Sequence, residues 1–125
     1  AEHGVAAKPL DAYAERWQAF LAKDLPDPHV TVIGAGAGGV ELALAMAFRL
    51  QGLGRTPRIT LVEAASPLRE VGAAARAALL ARLGAAGIDL RSGAAPLRVE
   101  SGALVLPGGA LRSDLTVAVA GARPQ

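Results

Sequence analysis

Cysteine is absent from the 125-residue chain. That excludes a disulfide framework, a thiolate nucleophile and a zinc site of the cysteine type, and it leaves the redox compartment open. Aromatic residues are nearly as scarce, at 3% against 52% hydrophobic in all. Any core must therefore be built from Ala, Val, Leu and Ile, which suits thin helices packed closely on a sheet. An excess of one charge is missing too. Thirteen Lys and Arg against 11 Asp and Glu leave +2, too little to mark a nucleic-acid surface. Histidine occurs only as His3 and His29, far apart and without a partner motif, so no metal site is expected. Long apolar runs do not occur. The longest, residues 40–50, is interrupted by Glu41 and Arg49 and is too short for a transmembrane segment. The opening residues do not resemble a signal peptide.

What is present is an alternation of two periodicities, in a length that fits one compact domain. Residues 9–25, PLDAYAERWQAFLAKDL, place Leu10, Tyr13, Trp17 and Phe20 or Leu21 on one side, the spacing of an amphipathic helix. Two prolines break it. HVTVI (29–33) then reads as a short β-branched strand, and VELALAMAFRLQGLG (40–54) as a helix ending in glycines. RITLVE (58–63) is a second strand. After Ser66-Pro67, residues 69–87 read as a long alanine-rich helix with Leu79, Leu80 and Leu83 on its apolar side, followed by a third strand at 88–92. The pattern then changes to short alternating runs at 96–100, 102–106 and 110–114, separated by Ser101-Gly102 and Pro107-Gly108-Gly109. Such runs predict an antiparallel meander. DLTVAVAG (114–121) is a last apolar strand. The expected fold is α/β and Rossmann-like: three layers, a parallel sheet with helices on both faces, the meander, and an N-terminal helix. The organisation expected is a helix and linker over 1–29 and a dinucleotide-binding domain over 30–125.

The segment TVIGAGAGGV (31–40) places Gly34, Gly36 and Gly39 between a strand and a helix. Gly34 permits the tight turn, Gly36 lets a pyrophosphate approach the backbone, and Gly39 lets the helix pack close to the strand. The amides and dipole of the first helical turn favour the phosphates there. Ala37, Gly38 and Val40 belong to the same mouth. A loop of this kind also serves purely structural connections, so a second feature is needed. It is Glu63, which ends the next strand 24 residues past Gly39. Its carboxylate is placed to accept hydrogen bonds from the adenosine ribose and to repel a 2′-phosphate, favouring NAD(H) over NADP(H). Ala64 follows it at the strand end. Glu41 interrupts an apolar run and has two readings. One is a favourably placed acid in the first helical turn, worth roughly 0.3–1 kcal/mol. The other is a carboxylate near the nicotinamide end of the ligand.

The segments IGAGAGGVELALAMAFRL, ITLVEAASPL and DLTVAVAGARP together resemble the NAD-binding domain of the pyridine nucleotide–disulfide oxidoreductase superfamily. In these flavoenzymes a small dinucleotide-binding domain is inserted into a larger FAD-binding one. The wording GGVELA is most similar to the type II NADH dehydrogenase branch, and the lead-in HGVAAKPLDAYAERWQAFLA to members fused to a selenide, water dikinase module. The resemblance implies that Gly34, Gly36 and Gly39 hold the pyrophosphate and Glu63 the ribose. It implies that Glu41 lies where nicotinamide meets flavin, and that Ala120 and Gly121 let the last strand pass close to the nicotinamide. NADP-using relatives carry arginines at the positions of Glu63 and Arg69, and this chain keeps only Arg69. The FAD fingerprint, redox cysteine pair and interface domain of the family are missing from the sequence. The resemblance therefore implies an excised domain that binds NADH and partners the FAD-binding domain of a parent chain, FAD itself being bound elsewhere in that parent. A cytoplasmic location is expected, with peripheral membrane association of the parent left open.

Three alternatives stay open on the residues alone. The glycine loop also fits FAD itself, although a full helix precedes it. The shorter pattern G-x-G-x-G fits S-adenosylmethionine and a methyltransferase. A nucleotide-free structural domain uses the same turn.

Overall fold

The computed structural model describes residues 4–6, 10–69, 71–93 and 95–119. In chain order the elements are β1 (Gly4–Ala6), α1 (Leu10–Ala22), β2 (His29–Ile33), α2 (Ala37–Gly52), β3 (Arg58–Glu63), α3 (Ala73–Ala85), β4 (Asp89–Ser92), β5 (Arg98–Glu100), β6 (Ala103–Leu106), β7 (Gly109–Arg112) and β8 (Leu115–Ala118). Five of them, β1-β8-β2-β3-β4, form one parallel sheet, and β5-β6-β7 form a separate antiparallel one. β1 is an addition to the expected set, since three residues, GVA, are too few to show a period.

The parallel register places Val30, Ile59 and Leu115 at one level and Val32, Leu61 and Val117 at the next, all on the same face. Against that face pack Val40, Ala43, Met46, Ala47 and Leu50 of α2, Leu83 of α3, and Phe20 and Leu21 of α1. The opposite face carries Ile33 and Val62, which meet Val99, Leu104 and Leu106 of the meander. The sheet therefore has α2 and α3 on one side and the meander on the other, which corrects the expectation of helices on both faces. The reason lies in the period-2 runs of β5 and β6: each has one apolar side to bury, and Ile33 and Val62 provide the surface. On the same face Thr31, Thr60 and Thr116 are buried at a single level. The Thr116 hydroxyl lies 2.7 Å from that of Ser113, which also donates to the carbonyl of Leu115 at 2.9 Å.

In α1 the expected apolar side is present where side chains are described. Trp17 is partly buried and stacks on buried Phe20 with ring centroids 5.7 Å apart. The side chains of Leu10 and Tyr13 lie outside the described residues. Helix α2 ends in a Schellman motif: Gly54, at φ 79°, donates to Gln51 and Arg55 to Leu50. Arg55 Nη2 then reaches the carbonyl of Leu21 and the carboxylate of Asp24, both at 3.0 Å, and so ties the end of α1 to the end of α2. The Arg55 side chain is 12% exposed and that of Asp24 87%, so the bond to the helix-end carbonyl contributes more than the ion pair. Arg55→Ala is expected to lower stability by about 1 kcal/mol, read from the midpoint of urea denaturation. An equal loss in Asp24→Asn, which tolerates the left-handed backbone at that position (φ 57°), would show that the ion pair, and not the cap, is what matters.

Helix α3 starts at Ala73, four residues later than residues 69–87 predict. The backbone of Leu68 is left-handed, at φ 55°, and that conformation does not continue a right-handed helix. The chain resumes helical geometry only after Gly72, the N-cap.

Candidate functional site

The glycine loop leaves β2 at the C-terminal edge of the parallel sheet and enters α2 there. Gly34 has φ 109°, and a Cβ at that position would sit 2.8 Å from the carbonyl oxygen of Val119. Both facts require glycine. Gly34 N–H donates to Val62 at 2.7 Å, and Val119 N–H to Ile33 at 2.9 Å, so β3 and the end of β8 enclose the turn from both sides. A Cβ on Gly39 would overlap the carbonyl oxygen of Gly34, because the first turn of α2 lies directly against the loop. Gly36 is the N-cap of α2, in extended geometry and without a side-chain cap hydrogen bond of its own. Gly38 has room, its nearest neighbour being a Val119 methyl group 3.7 Å from a built Cβ. Ala37 and Gly38 are exposed, whereas Val40 points into the core and only its backbone borders the loop.

Glu63, half-buried at the end of β3, folds onto this loop. Its Oε1 accepts the backbone N–H of Ala35 at 2.7 Å, and its Oε2 accepts that of Ala65 at 2.9 Å. Ala35 is fully buried. Its carbonyl accepts the N–H of Leu68 at 2.7 Å. One residue of the glycine loop, Ala35, is thus held by its N–H from the strand end and by its carbonyl from the following turn. Each carboxylate oxygen has a second lone pair still available. Ala35, Ala65, Leu68 and Val119 were not singled out by sequence. For Leu68 no local signal exists, since leucine has no preference for a left-handed backbone.

Glu41 is exposed and faces a groove shared by α2 and Arg82 of α3. Because α2 begins at Ala37, three residues earlier than the apolar run suggests, Glu41 lies beyond the first turn and no acid occupies that turn. The helix-dipole reading of Glu41 is thereby corrected, for the effect fades within one turn. Ala64 and Arg69 are exposed on the loop after β3. Ala120 and Gly121 lie outside the described residues. Among the described residues no group of three or more metal-ligating side chains occurs, and no helix is long and apolar enough to cross a membrane.

The family profile of the pyridine nucleotide-disulphide oxidoreductases matches residues 4–125. The chain belongs to that family. No curated protein matches the sequence. Among solved structures, this family member is similar to a ferredoxin reductase from Rhodopseudomonas palustris, at 24% identity and a TM-score of 0.76, over 94% of this chain and 28% of that one. It is similar to NDH2 from Plasmodium falciparum in complex with NADH, at 16% identity and a TM-score of 0.78, over 95% of this chain and 30% of that one. A water-forming NADH oxidase from Lactobacillus brevis, bound to NADH, matches at 19% identity and a TM-score of 0.73, over 97% of this chain and 26% of that one. At these identities the likeness is one of fold. The chain spans less than a third of the length of each.

Proposed function

We propose that this pyridine nucleotide-disulphide oxidoreductase chain is the NADH-holding domain, residues 30–125 with the helix and linker of 1–29, of a flavin-dependent oxidoreductase related to the type II NADH dehydrogenases. The observation that carries this reading is the Glu63 carboxylate, bonded to the loop at Ala35 and retaining acceptor capacity beside it. A glycine turn with no room for side chains at Gly34 and Gly39, a glycine N-cap at Gly36, and an acid at the end of the neighbouring strand together suit a dinucleotide. Two structures of the same fold carry NADH by name.

In this reading the backbone of Gly36, Ala37, Gly38, Gly39 and Val40 receives the pyrophosphate. Glu63 and the backbone at Ala64 orient the adenosine ribose, while Arg69 borders its 2′ side. Glu41, Ala120 and Gly121 lie toward the nicotinamide and shape the passage to the flavin. When bound, NADH supplies the hydride, and a flavin held by the FAD-binding part of the parent accepts it. The chain's own task is to hold, orient and shield. It does so in the cytoplasm and is inactive as a redox catalyst without the FAD-binding part. Membership of this family also sets aside the methyltransferase alternative.

Calorimetric titration of the chain with NADH and NADPH tests the proposal. The expected result is saturable NADH binding and weaker NADPH binding, because the ionised Glu63 repels a 2′-phosphate. Binding of neither nucleotide, or a preference for NADPH, overturns the reading.

A further inference from the structure

Leu68 has three properties that seldom coincide. It is fully buried, its backbone is left-handed at φ 55°, and its N–H donates at 2.7 Å to the carbonyl of Ala35 in the middle of the glycine loop. A non-glycine residue in that conformation is strained, and it persists only where its surroundings over-determine it. Here the determinants are visible. The Leu68 side chain is buried in the same core as Val40 and Met46 of α2. Leu68 N–H holds Ala35 by its carbonyl, and Glu63 Oε1 holds the same residue by its N–H, also at 2.7 Å. The glycine loop, the ribose-facing carboxylate and the turn after β3 are therefore a single hydrogen-bonded unit.

We infer that Leu68 is a positioning residue: its left-handed backbone latches the turn after β3 to Ala35 and so fixes the glycine loop in the geometry that receives a diphosphate. This rests on the dinucleotide reading above and adds a residue that touches no ligand. Glu63 is also held from Ala65, so a loosened latch frees the loop while the carboxylate keeps its second anchor. Ligands that carry a diphosphate must then weaken more than those that lack one.

The test exploits backbone preference at constant volume. Leu68→Ile keeps the buried apolar bulk, but a β-branched residue strongly disfavours the left-handed region. Leu68→Met keeps the bulk without the branch. Affinities for NADH, ADP-ribose and adenosine are measured by calorimetry, and by NMR titration for the weak nucleoside. NMR also follows exchange of the Ala35 amide. In Leu68→Ile, NADH and ADP-ribose are expected to weaken by about tenfold, adenosine to change less than about twofold, and the Ala35 amide to lose protection. Leu68→Met is expected to restore all three. Equal weakening of adenosine, no weakening of NADH, or failure of Leu68→Met to restore affinity overturns the latch. If the unmodified chain binds neither NADH nor ADP-ribose, the dinucleotide reading fails instead. Ala35 exchange then decides the latch alone: protection lost in Leu68→Ile supports it, and unchanged protection overturns it.

Discussion

Gly39→Ala is expected to cost on the order of 3 kcal/mol or more and to leave little folded protein. The added Cβ would overlap the carbonyl oxygen of Gly34 and come within 2.9 Å of its carbonyl carbon. Both are backbone atoms of a turn already closed by the bond from Gly34 N–H to Val62. No rotamer change relieves such a clash. Either α2 lifts from the sheet, exposing Val40, Ala43 and Met46, or the turn opens. Gly38→Ala is the matched control. It lies one residue earlier in the same helix, and its Cβ would meet only a methyl group at 3.7 Å. There the helix propensity of alanine predicts unchanged or raised stability, by up to about 1 kcal/mol. Urea denaturation followed by circular dichroism compares the two. If Gly39→Ala unfolds at the midpoint of the unmodified chain, the close packing of α2 on its loop is not as described.

Glu63→Gln is the second substitution with a large expected effect, and it is not conservative here. Both carboxylate oxygens accept backbone N–H groups, from Ala35 and Ala65. A carboxamide has one acceptor oxygen, so its NH2 group must face one of those donors. Charge-assisted bonds are also lost. Stability is expected to fall by about 1–3 kcal/mol. NADH affinity is expected to fall roughly 10- to 100-fold, a change of about 1.4–2.8 kcal/mol. NADPH, relieved of repulsion, should lose less, so the ratio of the two affinities narrows. Calorimetry on the variant reads the affinities and denaturation reads the stability. Unchanged values in both would remove Glu63 from the loop and from the ribose.

The elements legible in the sequence are those whose signals are local. The β-branched run of β2, the glycines at 34, 36 and 39, the apolar spacing of α2 and the acid at the end of β3 are all properties of neighbouring residues. They gave the strand–loop–helix–strand order and the position of Glu63. The turns at Ser101-Gly102 and Pro107-Gly108 likewise announced the meander. Long-range properties were not legible. Which side of the sheet the meander covers depends on Ile33 and Val62 meeting Leu104 and Leu106, residues far apart in the chain. The left-handed turn ahead of α3 is tied to Ala35, 33 residues from Leu68, which composition does not encode. The brace between Glu63 and Ala35 is of the same kind. Spacing placed the acid near the loop but said nothing of the peptide it grips.

β8 occupies the sheet position between β1 and β2, and pairs Leu115 with Val30 and Thr116 with both Thr31 and Gly4. A growing polypeptide leaving the ribosome makes β2, β3 and all three described helices well before that strand. Until residues 115–118 emerge, the β2 edge of the nascent sheet has no neighbour. Closing it requires a contact across roughly 85 residues of separation, like that of His29 with Asp114. Such an unfinished sheet is a natural client for chaperones, and a pause in translation before residue 115 is the moment at which it is most exposed to aggregation.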